Sequence, residues 1–252
     1  MAEICKNCSG EIDLNFCSNC GQKKSKRIDA KYLKDEFQYV LVHTNKGFFH
    51  SIKKIIKAPG KTALEFIDGN RVNHYKPIAL VFVLAGISAF LVNTFVHPIE
   101  IYKEYNKLHN IENKAAMIKM FEVMTKYKSL FMLLSIPLVA LTSWLAFKKW
   151  GFNYFENIVA MAYFMCSILI FDLLVIFPMQ LLITTNFDLF MSLIPIVQNL
   201  YMIVLCFWFF FQFYPKKDEG DVVLRVLRMF FYFIVLTIIL SVIAGLIYFS
   251  FK

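Results

Sequence analysis

Five long apolar runs fill the last two-thirds of this 252-residue chain, and no other feature constrains its fold as much. They read as Pro77–Val96, Leu130–Phe147, Phe155–Pro178, Phe190–Phe213 and Met229–Phe249. About twenty helical residues, at 1.5 Å rise each, cross the ~30 Å hydrocarbon core of a bilayer. Backbone polar groups at that depth must bond within the protein, which leaves helices or closed barrels. These runs are too continuously apolar for barrel strands, whose two faces alternate. Composition agrees: 58% of residues are hydrophobic and 18% charged, against about 45–50% and 25% in soluble domains. The predicted fold class is therefore an all-α polytopic membrane protein with five transmembrane helices.

Direction follows from lysine and arginine, which accumulate in cytoplasmic connections. With the N-terminus inside, the inner segments carry 20 of these residues and the outer ones 7. The one exception is the first outer loop, 97–129, with six lysines among Glu100, Glu104, Glu112 and Glu122. A cytoplasmic N-terminus and an outer C-terminus are expected. No signal-peptide core precedes Cys5, so the N-terminal segment is expected to be retained.

That segment holds four of the six cysteines, as Cys5-x-x-Cys8 and Cys17-x-x-Cys20. Each pair places two sulfurs on one side of a tight knuckle. Two facing knuckles present four thiolates at the corners of a tetrahedron, the arrangement of a closed structural zinc site. Gly21 follows the second pair, where positive φ is needed; Gly10 lies one place late for the same role. A redox dithiol, an iron centre and two disulfides are the competing readings. The first lacks the strand–helix unit it normally opens, and the last needs an oxidising compartment. One structural zinc held by Cys5, Cys8, Cys17 and Cys20 is the expectation, and about twenty residues too few for a core would fold largely on metal binding. Cys166 and Cys206 read as small buried hydrophobes.

The predicted organisation is a zinc ribbon over 1–24, basic amphipathic helices over 25–76 and the span domain over 77–252. Ile28, Leu33, Phe37, Val40 and Leu41, then Phe48, Ile52, Ile55 and Ile56, form apolar stripes at helical spacing opposed by lysines. Asn45-Lys46-Gly47 breaks the pattern and Pro59-Gly60 ends it. Such helices lie in the membrane interface against anionic lipid headgroups, or pack on the span bundle or on a partner; the sequence leaves both open. Thr62-Ala-Leu-Glu65 has capping-box spacing for a short helix stopping near Gly69. Arg71, His74, Tyr75 and Lys76 then fall at headgroup depth, as a phosphate-holding cluster or as ordinary interfacial anchors.

These residues carry a resemblance. Cys-x-x-Cys, Phe16-Cys-x-x-Cys-Gly-Gln22, Ala58-Pro59-Gly60 and Gly69-x-Arg71-x-x-x-Tyr75-x-Pro77 together resemble an uncharacterised bacterial family, domain of unknown function 3667. The resemblance covers about residues 1–95. It implies a zinc-ribbon multi-pass membrane protein and carries no activity or substrate. In topology alone the chain is also similar to Yip1-type five-span proteins.

Asp172 is the one ionisable residue well inside a span, in the outer half of the third. A carboxyl there faces the bundle or a wet cavity. Asn93, His97, Ser135, Gln198 and Asn199 reach similar depth, so some are expected to gather around Asp172. With no cation opposite at that depth, a protonated carboxyl is expected. A proton or substrate pathway and a helix-packing hydrogen bond both fit. The outer loop shows helical spacing at Ile111, Ala115, Ile118, Phe121 and Tyr127 leading into the second span, and a shorter helix around Tyr102, Tyr105 and Leu108.

No phosphate loop, metalloprotease helix or nucleophile elbow is present in the sequence, so enzymatic activity is not expected. An interaction platform in the bacterial cytoplasmic membrane, binding a protein partner or a second copy, is the leading functional expectation. A small transporter, channel or lipid-handling protein around Asp172 is the alternative. Nucleic-acid binding through Lys23, Lys24, Lys26 and Arg27 is disfavoured, because the positive-inside bias already accounts for those residues.

Overall fold

The computed structural model describes residues 3–12, 15–24, 27–32, 47–109 and 114–250. Leu33, Phe37, Val40, Leu41, Asn45 and Lys46 of the expected amphipathic segment lie outside these residues, as do Ser25, Lys26, Ile111, Glu112 and Lys252. Among the described residues, two short strands, β1 (Glu3–Ile4) and β2 (Glu11–Ile12), pair antiparallel, Phe16 and Lys23 form an isolated antiparallel bridge, and the remaining regular structure is helical. In chain order the helices are α1 (Phe48–Lys57), α2 (Pro59–Ile67), α3 (Pro77–Leu91), α4 (Pro98–Leu108), α5 (Lys114–Lys126), α6 (Lys128–Phe147), α7 (Tyr154–Phe171), α8 (Phe177–Ile183), α9 (Phe187–Phe213) and α10 (Glu219–Ser250). Among the described residues, five helical stretches are long and apolar enough to cross a membrane: Pro77–Val96, Lys128–Trp150, Tyr154–Ile183, Phe187–Phe213 and Glu219–Ile243.

The third stretch is the hub. Val159, Ala160, Met161, Ala162, Tyr163, Cys166 and Leu169 of α7 are at most 1% exposed, so the helix is covered on all sides. Its small residues Ala160, Ala162, Cys166 and Ser167 let α3, α6 and α2 approach closely, which is what drives association where lipid is as apolar as leucine. The start of α7 is fixed by a reciprocal cap: Asn153 Oδ1 accepts from Glu156 N at 2.9 Å, and Glu156 Oε2 accepts from Asn153 N at 2.7 Å. Gly151, at φ 99°, turns the chain from α6 into it. Ser143 Oγ donates to Asn157 Oδ1 at 2.9 Å, pinning α6 to α7 in the buried interior. By contrast α10 packs on α6 and α9 with Val222, Val226 and Met229 buried, whereas Ile238, Ile239, Leu240, Val242, Ile243 and Leu246 are exposed.

Two spans carry π-turns near the end remote from the N-terminal head. In the third, Asp172–Ile176 widens just ahead of Pro178. Proline has no N–H for the carbonyl four residues back and crowds it, so a wider turn there relieves the clash while the helix continues to Ile183. In the first, Val92–Val96 ends at His97, which takes a left-handed conformation (φ 53°, ψ 54°) before Pro98 opens α4.

Two local expectations need correction. The short helix after α1 begins at Pro59, not at a cap on Thr62. Pro59 sits at the first helical position, where its missing N–H is no loss, and the Thr62 hydroxyl instead donates to Ala58 O at 2.7 Å inside the helix. The helix α5 does not run straight into the second span: Tyr127 (φ −105°, ψ 19°) interrupts α5 and α6, although the i−4 bonds at Tyr127 N and Phe131 N persist across it.

Candidate metal centre

The two Cys-x-x-Cys segments fold as equivalent knuckles. In the first, Cys5 N donates to Gly10 O at 2.7 Å and Ser9 N to Cys5 O at 2.9 Å. In the second, Cys17 N donates to Gln22 O at 2.7 Å and Gly21 N to Cys17 O at 2.9 Å. The residue after each second cysteine must be left-handed: Gly21 has φ 72° and Ser9 has φ 60°. The position that Gly10 seemed to miss is thus filled by a serine, in a conformation that costs an L-residue about 1 kcal/mol. Facing knuckles bring Cys5 Sγ to 3.6 Å from Cys20 Sγ and Cys8 Sγ to 3.6 Å from Cys17 Sγ, and the four sulfurs all lie within 4.8 Å of one another. All four are free thiols, with Cys5 and Cys17 buried and Cys8 and Cys20 half-buried. This geometry could hold a metal ion. The Asn7 side chain and the Gln22 backbone N–H, both beside Cys20, bring its thiol down to about 6, whereas at Cys8 the lowering bond from the Gly10 backbone is outweighed by the contacts with Cys20, Cys17 and Cys5, which push that thiol up to about 11.

Gln22 also ties the centre to the membrane domain. Its side chain is 3% exposed and inserts into the loop ahead of the first span. Nε2 donates to Gly69 O, and Oε1 accepts from Arg71 N at 3.3 Å and Val72 N at 3.4 Å. Asn73 Nδ2 adds a bond to Asn7 Oδ1 at 2.9 Å. A third tie lies further along: Arg27 Nε and Nη2 meet the Glu156 carboxylate at 2.9 and 3.1 Å, and Nη2 donates to Gly151 O at 2.8 Å. The Glu156 that caps α7 therefore also receives the head. Ile28 is fully buried, and its carbonyl oxygen accepts from Asn153 Nδ2 at 3.1 Å.

The cluster at Arg71, His74, Tyr75 and Lys76 is not assembled as a phosphate cradle. Arg71 folds back on the end of α2, donating from Nε to Phe66 O at 3.1 Å and from Nη2 to Ile67 O at 3.4 Å, with Tyr32 stacked 4.8 Å from the guanidinium. Carbonyls at a helix C-terminus attract such a cation. Tyr75 is buried, its N–H donating to Ser51 Oγ at 2.7 Å, and Lys76 immediately precedes α3, its carbonyl accepting from Leu80 N at 2.9 Å. His74 is 4% exposed among His50, Phe66 and Tyr163, with neither ring nitrogen hydrogen-bonded. Burial, and then the neighbouring His50, push its pKa down to about 4.

Nor does Asp172 gather the predicted polar residues. It bonds the Tyr201 hydroxyl of α9, and Lys128 Nζ, from the first residue of α6, reaches 3.8 Å from its Oδ2. The expectation of no opposing cation is corrected: α6 begins level with Asp172, so a lysine at its rim reaches inward along its flexible stem. Asn93 and His97 instead line a cleft of about 550 Å3, at the end of the spans remote from the head, with Glu100, Lys103, Glu122 and Lys126. Ser135 Oγ donates to its own helix at Met132 O, 2.7 Å. Gln198 is half-buried and Asn199 exposed, both on α9. Sequence reasoning gave no structural role to Gln22, Asn7, Arg27, Tyr201 or Lys128. Only Gln22 had a local signal, standing directly after Cys20-Gly21.

Residues 45–89 match a family described as a protein of unknown function, DUF3667. That stretch is α1, α2, the loop that receives Gln22 and most of α3, so it includes the acceptor side of the head–membrane junction. No curated protein and no solved structure matches the chain. The five apolar helices and the cluster of Cys5, Cys8, Cys17 and Cys20 come from the structure and mark a multi-pass membrane protein with a four-cysteine site near its N-terminus.

Proposed function

We propose that this protein is a docking platform in a bacterial cytoplasmic membrane, presenting a structural zinc ribbon on the cytoplasmic face to a protein partner or to a second copy. The observation that carries the reading is the buried Gln22 clamp. A head held to the pre-span loop by three side-chain hydrogen bonds is a rigid feature of the membrane surface, not a bead on a tether. Zinc is supported by the sulfur spacing: tetrahedral Zn–S bonds of about 2.3 Å require sulfurs about 3.8 Å apart, and two of the contacts here are 3.6 Å. Four thiolates complete that tetrahedron and leave no position for substrate, so the role is structural, not catalytic. The lysine and arginine distribution supports the cytoplasmic placement. Ile4 and Phe16, each immediately before the first cysteine of its knuckle, are 61% and 58% exposed and offer apolar contact area on the head.

Native mass spectrometry of the full chain extracted gently from its own membrane tests this. One zinc and a stoichiometric partner or second copy are expected, with the partner lost in Ile4→Asp/Phe16→Asp. A chain without zinc, or a partner indifferent to that double substitution, would sink the proposal. The transport alternative has less support, because Asp172 is engaged by Tyr201 and Lys128 instead of facing a polar cluster.

A further inference from the structure

Helix α1 carries more apolar surface than the protein covers. Ser51, Phe48, Ile55 and Ile52 turn toward α2, α7 and the core. At 100° per residue, Ile56 and Phe49 extend the apolar arc past Ile52, and they are 48% and 82% exposed. Beyond them on the same turn come Lys53, Lys57 and His50, all exposed. The helix FFHSIKKIIK has no acidic residue. Lys54 is taken by Glu65 at 3.1 Å, whereas Lys53 and Lys57 have no carboxylate partner among the described residues.

Where this arc lies relative to the bilayer is fixed by the first span. Ser51 Oγ accepts from Tyr75 N at 2.7 Å, and the Phe48 ring meets the Tyr75 ring edge-on at 5.7 Å. Tyr75 stands two residues before Pro77, where the span begins. The middle of α1 is thus held at the level where the chain enters the membrane. An exposed phenylalanine and isoleucine bordered by uncompensated lysines at that level match one surface: acyl chains for the apolar edge and anionic headgroups for the cations.

We propose that the outward arc Ile56–Phe49–Lys53–Lys57 of α1 is a docking surface for the anionic leaflet of the membrane that holds the protein, with Phe49 and Ile56 below the headgroups and the two lysines among them. This rests on the membrane topology and not on the docking role of the head. On this proposal both placements the sequence left open apply to one helix: one face of α1 packs on the bundle and the other meets lipid.

The test uses the full chain in nanodiscs, with a polarity-sensitive nitrobenzoxadiazole label on Phe49→Cys and, separately, on Ile56→Cys. Both side chains are exposed, so neither substitution removes core packing. Blue-shifted emission quenched by brominated acyl chains is expected at both sites, more strongly by brominated phosphatidylglycerol than by phosphatidylcholine. That preference is expected to fall about five-fold per lysine in Lys53→Gln/Lys57→Gln. Water-like, unquenched emission at both positions, or equal quenching by the two lipids, overturns the proposal.

Discussion

Replacing Gln22 with alanine isolates the junction between the metal centre and the membrane domain. The substitution removes one donor and one acceptor that together make three bonds to the backbone of Gly69, Arg71 and Val72. A typical net contribution is about 0.5–1.5 kcal/mol per bond. The two bonds to Oε1 are 3.3 and 3.4 Å long and belong at the weak end, so a total near 2 kcal/mol is reasonable. At 1.4 kcal/mol per decade, that shifts the docked-to-undocked ratio of the head by about thirty-fold. The cysteines are untouched, and the Gln22 backbone, which closes the second knuckle through Cys17 N, survives in alanine. Hydrogen exchange on the metal-loaded full chain reads the effect: the Arg71 and Val72 amides should exchange about thirty-fold faster, while cobalt substituted for the native metal should keep its thiolate absorption. Unchanged exchange at those amides would refute the clamp. Loss of the thiolate band would show instead that Gln22 serves the metal site itself.

Gly60→Ala should be among the most damaging single changes, because an added Cβ would stand 2.0 Å from Phe209 O and 2.8 Å from Phe213 N, both backbone atoms. A loss of about 3 kcal/mol is expected, read as a lowered melting temperature in detergent; a change under a few tenths would mean that Gly60 of α2 does not pack against the α9 backbone at Phe209 and Phe213. Burial keeps His74 neutral, with its pKa lowered to about 4 from 6.5. The unfolded chain therefore binds the extra proton first, and stability should decline by up to about 3 kcal/mol as pH falls from near 6.5 to 4, then level off. His74→Phe should flatten that part of the pH profile and, having no orphaned nitrogens, should not destabilise at neutral pH. Ser9→Gly relieves a positive φ and should tighten metal binding by about 0.5–1 kcal/mol, a factor of two to five in a chelator competition. A double-mutant cycle on Asp172→Asn and Tyr201→Phe should give a coupling of about 0.6 kcal/mol, as for other intramembrane hydrogen bonds; no coupling would remove the packing role.

What the sequence determined is what one-dimensional spacing can encode. Five apolar runs of bilayer length require crossing helices, because no alternative satisfies their backbone in lipid. Two Cys-x-x-Cys knuckles bring four sulfurs together through bonds spanning only five residues, so the cluster was legible from Cys5 to Cys20. The face of α1 that packs could be read from its apolar period. Contacts between residues distant in the chain were decided by the tertiary structure alone. Gln22 meets Gly69 and Arg71 across some fifty positions and Arg27 meets Glu156 across 129, and neither pairing leaves a local pattern. Asp172 illustrates the same limit: its chemistry marked it out, but its partners come from two other helices whose vertical register depends on where each begins. Lys128 and Tyr201 reach it only because α6 starts, and α9 passes, at that height. Spacing along the chain fixes which elements form and which face of each is apolar. Which buried polar group meets which is fixed by how those elements stack, and it was there that the metal head became part of the membrane domain.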